Sequence, residues 1–456
     1  MVGVTSGKGS GTDPRESSDG AETSMTGLTK TEAELALIET AKRVLPAGGF
    51  GNFASDVVIR EGRAGRVWDE SGNEYVDFLL GSGPMFIGHA HPEVTAAVLA
   101  QVPKGTTFFA NNATGIRLAE ALCEAVPCAD KVRFVSAGSE ATFYAMRIAR
   151  AHRGRDKILK FEGGFHGMSD YALMSMAPKR PANFPQAVPD SAGIPAKVRD
   201  EVLIAPFNDL ETAASLIREY GDELGGVIVE PFQRLVPPKP GFLEGLRALT
   251  TEHGIPLIFD EVVTGFRFAY GGAQSYYGVT PDLCALGKII GGGFPLAAIA
   301  GREELMAHFD KDRVAEDAFA PQIGTLSGNP VAAAAGLATL EVLKRPGVYE
   351  QVFATGRQLM AGLESALAGA GFAVQIVGEP PLFDVVFTDQ SVQDYRTTLN
   401  GDATLLRRFN ALLRERGILK GESKYYVSLA HDAADIRHTL DAFQDAAAIL
   451  KSERRR

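Results

Sequence analysis

Between about residue 95 and residue 325 the chain alternates helical patterns with short apolar runs, among them Val132-Arg-Phe-Val135, Lys157-Ile-Leu-Lys-Phe161, Gly226-Val-Ile-Val-Glu230 and Pro256-Leu-Ile-Phe-Asp260. Short apolar strands separated by helices are the pattern of a sheet covered on both faces. The fold class this implies is α/β, with a largely parallel, doubly wound sheet. In an open sheet of that kind ligands bind at the carboxyl ends of the strands. The residues that close each run are therefore the first place to look for chemistry.

The flanking segments read differently. Residues 1–26 are rich in Gly, Ser, Asp and Glu and nearly free of large apolar side chains, the composition of a disordered tail. From Thr31 an amphipathic helical pattern runs to Pro46-Ala-Gly-Gly49, and Arg66 to Phe78 reads as a hairpin turning at Ser71-Gly-Asn73. The expected organisation is a segment 27–95 joining a smaller α+β domain, a large domain over 96–328, and the rest of the small domain over 329–456. A net charge of −10 argues against a nucleic-acid or anionic-membrane partner. The three cysteines, Cys123, Cys128 and Cys284, form no C-x-x-C pair, which points to a reducing compartment. With no apolar run of membrane-spanning length and no signal-peptide core, the expected location is the cytoplasm.

Two run ends carry chemistry together. Leu257-Ile-Phe-Asp260 closes in a carboxylate, and Leu283-Cys-Ala-Leu-Gly-Lys288 closes in a lysine just ahead of Gly291-Gly-Gly293. This pair is what a pyridoxal phosphate (PLP) enzyme needs: a lysine amine to form a Schiff base with the cofactor aldehyde, and an aspartate to keep the pyridine nitrogen protonated. A P-loop lysine is excluded, because the glycines follow the lysine. No G-x-S-x-G elbow appears. His89 and His91 lack the further ligands of a metal site, so no metal is expected.

Weaker motifs fall at other strand ends. Ser136-Ala-Gly138-Ser139-Glu140 would open a helix with free backbone N–H groups, a seat for the cofactor phosphate, or else a plain capped turn. Phe161-Glu-Gly-Gly-Phe165-His166-Gly167 offers Phe165 or His166 to stack on the pyridine ring. Glu230 and Glu261 also close apolar runs. For Glu261 a helix cap or an ion pair is the favoured reading.

Taken together these motifs resemble the class III, or subgroup II, aminotransferases of fold-type I PLP enzymes, and within them the glutamate-1-semialdehyde 2,1-aminomutase branch. The resemblance covers about residues 35 to 440. Its most specific stretches are Phe259-Asp-Glu-Val262 to Thr264-Gly-Phe-Arg267, Leu286-Gly-Lys288-Ile-Ile-Gly-Gly-Gly293, Gly324-Thr325-Leu-Ser-Gly-Asn-Pro330 and Ser428-Leu-Ala-His431. It implies a large mostly parallel-sheet domain and a smaller α+β domain built from both ends of the chain. It implies that Lys288 is the Schiff-base lysine and proton carrier and that Asp260 pairs with the pyridine nitrogen. Gly138 and Ser139 would cradle the phosphate, Phe165 and Val262 would sandwich the ring, and Glu230 would lie near the phenolic oxygen. Thr325 would reach the phosphate of a neighbouring subunit in a homodimer with shared sites.

The departures bear on the substrate. The aminomutase branch has an Arg after its N-terminal Gly-Gly that receives a carboxylate; here Gly48 to Ser55 holds none. Its Ser-Trp-Gly-Pro becomes Gly81-Ser82-Gly83-Pro84, and its acidic residue falls near Ser423. Ser82 and Arg234 become the candidate substrate contacts, Arg234 because a dry carboxylate needs a cation. The expected activity is transfer of an amino group from an amine or amino acid to a keto acid or aldehyde. An aminomutase-like isomerase, or a racemase or epimerase, is the alternative on the same scaffold.

Overall fold

The computed structural model describes residues 28–51, 53 and 56–454, so the expected tail 1–26 lies outside them. The first helix, Glu32–Val44, starts where the Thr31 hydroxyl accepts the Glu34 N–H, with acidic side chains in its first turn and basic ones in its last. Strand β1 (Ile59–Arg63) pairs with β2 (Arg66–Asp69), and β2 with β3 (Glu74–Asp77). The hairpin between β2 and β3 is closed by Asp69, whose carboxylate accepts the N–H groups of Ser71 and Asn73.

The large sheet is built from β4 (Lys131–Val135), β5 (Lys157–Phe161), β6 (Val202–Ala205), β7 (Leu224–Val229), β8 (Leu257–Glu261), β9 (Leu283–Leu286) and β10 (Ala297–Gly301). Its strand order is β4-β10-β9-β8-β7-β5-β6. Strands β5 to β9 are mutually parallel, and β10 runs against both of its neighbours. Strands β7 to β10 are buried along their whole length, which is why they read as unbroken apolar runs. Alternate side chains feed two separate cores. Val227, Val229, Leu257 and Phe259 join one, while Ile228, Ile258 and Ala285 join the other beneath Ala141, Ala145 and Ala149 of the helix Gly138–Arg153. Asp260, two residues beyond Ile258, continues onto this second face.

The C-terminal part supplies β11 (Gln375–Glu379), β12 (Leu382–Val386), β13 (Ile418–Leu419) and β14 (Tyr425–Tyr426). Strand β14 pairs with β12, whereas β13 joins β3 in parallel, so both ends of the chain share one sheet. The segment between β13 and β14 is thus held at both ends. A buried ion pair, Lys420 to Asp384 at 2.9 Å, fixes its start. That anchoring brings Lys424 to the carboxyl edge of the large sheet.

Candidate active site

Asp260 lies at the end of β8 and is buried. One of its oxygens accepts the Val262 N–H at 3.1 Å, and the other lies 2.9 Å from Nδ1 of His166. Burial pushes the Asp260 carboxyl up to about 7, a pressure that a cationic partner would relieve. His166 is buried too, and burial holds its imidazole down at about 3; its Nε2 has no partner. A neutral His166 can donate from Nδ1 and fix the orientation of the carboxylate. His166 is almost fully buried, whereas Phe165 next to it is half-buried and so the more accessible of the two rings.

Lys288 follows β9 with φ +49, in the left-handed region that side-chain-bearing residues seldom adopt. Its Nζ donates to the Ser82 carbonyl at 2.7 Å. Ser82 is itself held at φ +66. Burial keeps the Lys288 amine below the usual lysine value, and the Lys424 and Arg267 charges press the same way. Strain at two touching residues of a strand-end site is the kind that surrounding structure must enforce.

The start of the helix Gly138–Arg153 has the features of an anion seat. Its cap, Ala137, offers no side-chain hydrogen bond, and Glu140 turns back to accept the Ser136 N–H at 2.7 Å. The Glu140 N–H donates to the Ala137 carbonyl, so the Gly138 and Ser139 N–H groups and the Ser139 hydroxyl are left to face an anion. Close approach here needs glycine. At Gly167, with φ +88, a Cβ would lie 2.5 Å from Ser139 Oγ. Val262 packs against Gly138, where a Cβ would meet its Cγ1 at 2.8 Å. A buried carboxylate, a lysine, a flanking aromatic and apolar side chain, and an uncapped helix start therefore fit a pyridoxal phosphate.

Glu230, just after β7, accepts the Phe165 N–H at 3.0 Å, and burial raises its pKa. Glu261 points elsewhere: it accepts the Ala273 N–H at 2.6 Å and so caps the helix Gly272–Tyr277, the role its position favoured. Arg267 is fully buried, donating to the carbonyls of Val263 (2.8 Å) and Gly83 (2.6 Å) between Phe86 and Tyr426. Arg234 forms no ion pair among the described residues; its guanidinium lies 5.4 Å from the Phe165 ring centroid. Thr325 is not brought to this site. It is exposed, its carbonyl accepting the Thr107 hydroxyl, in a patch with Phe108, Phe109, Ile323 and Leu326.

Sequence reasoning missed Lys424. It lies one residue beyond Ser423, in a segment already singled out for losing an acidic residue, and that gain of a lysine was the available signal. Lys160 was missed as well. Its buried amine donates to the carbonyls of Gly164, Ala172 and Met174 and holds the loop that carries Phe165 and His166. Among the described residues no group of three or more His, Cys, Asp or Glu side chains is placed to hold a metal, and no helix is long and apolar enough to cross a membrane.

The family model for class-III aminotransferases matches residues 51–446. The chain is 42% identical over 425 residues to a glutamate-1-semialdehyde 2,1-aminomutase of Desulfitobacterium hafniense, covering 90% of this chain and 96% of that protein. An omega-transaminase from Sphaerobacter thermophilus is similar in structure, with a TM-score of 0.87 at 37% identity over 91% of this chain and 97% of that one. A transaminase with PLP bound has a TM-score of 0.86 at 30% identity, covering 94% of this chain and all (100%) of that one.

Proposed function

The chain belongs to the class-III aminotransferase family and its cofactor is pyridoxal 5'-phosphate; from that premise we propose that it is an aminotransferase, passing an amino group from an amine or amino acid to a keto acid or aldehyde. Bound PLP supplies an aldehyde that takes up amines and a ring that accepts the electrons a departing proton leaves behind. Lys288 would hold the cofactor through Nζ and give way to a donor amine. Its Nζ, held below the usual lysine value by burial, would carry the proton that leaves the donor carbon. Asp260, oriented by His166, holds the ring nitrogen protonated. Gly138 and Ser139 hold the phosphate, Phe165 and Val262 flank the ring, and Glu230 fixes Phe165 through its backbone.

One observation favours transfer over isomerisation: the site wall that faces Lys288. The aminomutase branch is expected to offer a Trp at position 82 and an acid near residue 423. This chain offers Ser82, its carbonyl on Lys288, and Lys424. Such a wall no longer suits a diamine intermediate held in place. The 42% identity to an aminomutase supports the second reading, in which the amine returns to a neighbouring carbon of the same molecule.

A homodimer completes this proposal. Phe109 is 71% exposed and Ile323 is 79% exposed, in one patch around Thr325. A patch of large apolar side chains suits a second copy, whose phosphate seat Thr325 would then meet. The test of function uses the cofactor's visible absorbance. The purified protein is mixed with α-amino acids, β-amino acids, simple amines or glutamate-1-semialdehyde, without acceptor. Bleaching by a donor, reversed by a keto acid, is the expected result. Turnover of the semialdehyde with no acceptor present would replace it with the aminomutase reading.

A further inference from the structure

Two cations face each other across the loops that roof the site, and neither has an anion. Arg234 sits in the loop after β7 and Lys424 in the loop before β14; among the described residues neither forms a hydrogen bond or an ion pair with a carboxylate. Both are half-buried. Their mutual repulsion and their burial press Lys424 down to about 8. Arg234 also keeps a φ of +61, a left-handed conformation that a glycine would adopt without strain. Unpaired like charges on a strained backbone are costly unless something anionic joins them.

Both side chains line one cavity of about 240 Å³, whose other walls include Leu235, Val236, Val386 and Phe387. Two carboxylates lie near the pair without a salt bridge among the described residues: Glu230, whose charge both cations feel, and Asp402, on the cavity wall, which accepts the Thr404 and Leu405 N–H groups. Asp384, also on the cavity, is already matched by Lys420. The pair also borders the reacting group: Arg234 overlies Phe165, and the Lys424 charge bears on Lys288.

We infer that Arg234 and Lys424 form a two-loop carboxylate clamp, so that the substrates of this enzyme are amino or keto acids that seat one carboxylate between them and an apolar body against Val236, Val386 and Phe387. This rests on the aminotransferase reading for the word substrate, but the binding site stands on its own geometry. Arg234 alone was legible as a candidate cation. The partner that makes it a clamp comes from a segment 190 residues away (424 minus 234).

The test is calorimetry on the PLP-loaded enzyme with hexanoate and with hexanamide, which share an apolar chain and differ in charge. Hexanoate should bind at least roughly tenfold more tightly, as hydrogen bonds to charged groups are worth. Arg234→Gln and Lys424→Gln should each erase most of that preference, while Lys424→Arg should keep it. Retained visible absorbance and melting temperature establish that the variants are folded. Equal binding of acid and amide by the wild-type enzyme overturns the clamp, as do folded Gln variants that bind hexanoate like the wild type. Should no amine bleach the cofactor while hexanoate still binds with this preference, the aminotransferase reading fails and the clamp survives.

Discussion

The two walls of the site are built on different principles. The floor, at the carboxyl edge of the large sheet, consists of residues whose partners are in place: Asp260 with His166 and the Val262 N–H, Lys288 with Ser82, Glu230 with the Phe165 N–H. The roof consists of loops and carries charges with no partner, Arg234 and Lys424. A floor whose side chains are held in place by their neighbours suits a cofactor that is always the same molecule. A roof with charge left over suits a ligand that comes and goes. Chemistry and selectivity are therefore separable here, and mutations should sort accordingly.

The largest effect should come from the floor. Lys288→Ala removes both the tether and the proton carrier, so turnover should fall by about 10⁴-fold or more, beyond the range for a lost acid–base group alone. The cofactor should then leave on gel filtration in denaturant-free buffer, read by its absorbance. Activity surviving that change would mean the floor does not do the chemistry.

Asp260→Asn should cost roughly 10²–10³-fold in turnover, the loss expected for a key electrostatic partner. It has a second signature without cofactor. The folded carboxyl titrates at about 7, above its ordinary 3.8, so its contribution to apo stability is complete below the ordinary value and is lost as pH rises through about 7. The apo wild type should weaken between pH 4 and pH 8 in denaturant titrations, and Asp260→Asn should flatten that slope. Added PLP, which brings a cationic ring nitrogen, should restore the wild type at high pH and stabilise the variant less, through the remaining contacts alone.

This contrast also decides what could be read from the chain alone. Asp260 and Lys288 close buried strands, and a buried strand is an unbroken apolar run, so the polar residue that ends it stands out. Strands β4, β5, β7 and β8 were legible as apolar runs, with β7 and β8 shifted by one or two residues at their ends, whereas β6 and β10 were not singled out. Lys424 had no such frame. It follows a two-residue strand that pairs with β3, a contact more than 300 positions away in the sequence, and nothing local says which way that loop faces. His166 was seen as an aromatic beside glycines, but its bond to Asp260 depends on how β5 and β8 lie in the sheet, with β7 between them. Strand ends are local information; loop roofs are tertiary.

A smaller effect, on the roof, is the pH dependence of hexanoate binding. Lys424 titrates at about 8, lowered first by burial and then by Arg234, with Glu230 opposing and Arg267 assisting. The clamp needs the protonated amine, so affinity should be steady below about 8 and fall by up to about tenfold per pH unit above it. Lys424→Arg, which stays charged throughout, should bind equally at pH 7 and pH 9.5. A wild-type affinity that ignores pH would separate Lys424 from the clamp.

The smallest effect returns to the floor and tests its one redundant part. The phosphate seat has several donors: the backbone N–H groups at the start of the helix Gly138–Arg153 and the Ser139 hydroxyl. Ser139→Ala removes only the hydroxyl and leaves the N–H groups and the helix dipole, so PLP affinity should drop by roughly three- to tenfold, the worth of one hydrogen bond to a charged group. Equilibrium dialysis of the apoenzyme against PLP measures it. A loss as large as that of Asp260→Asn would mean the backbone groups do not meet the phosphate and that the seat lies elsewhere. A loss in the expected range would mean that the floor distributes its hold on the cofactor over backbone as well as side chains. The roof, whose proposed hold rests on two side chains, should have less tolerance.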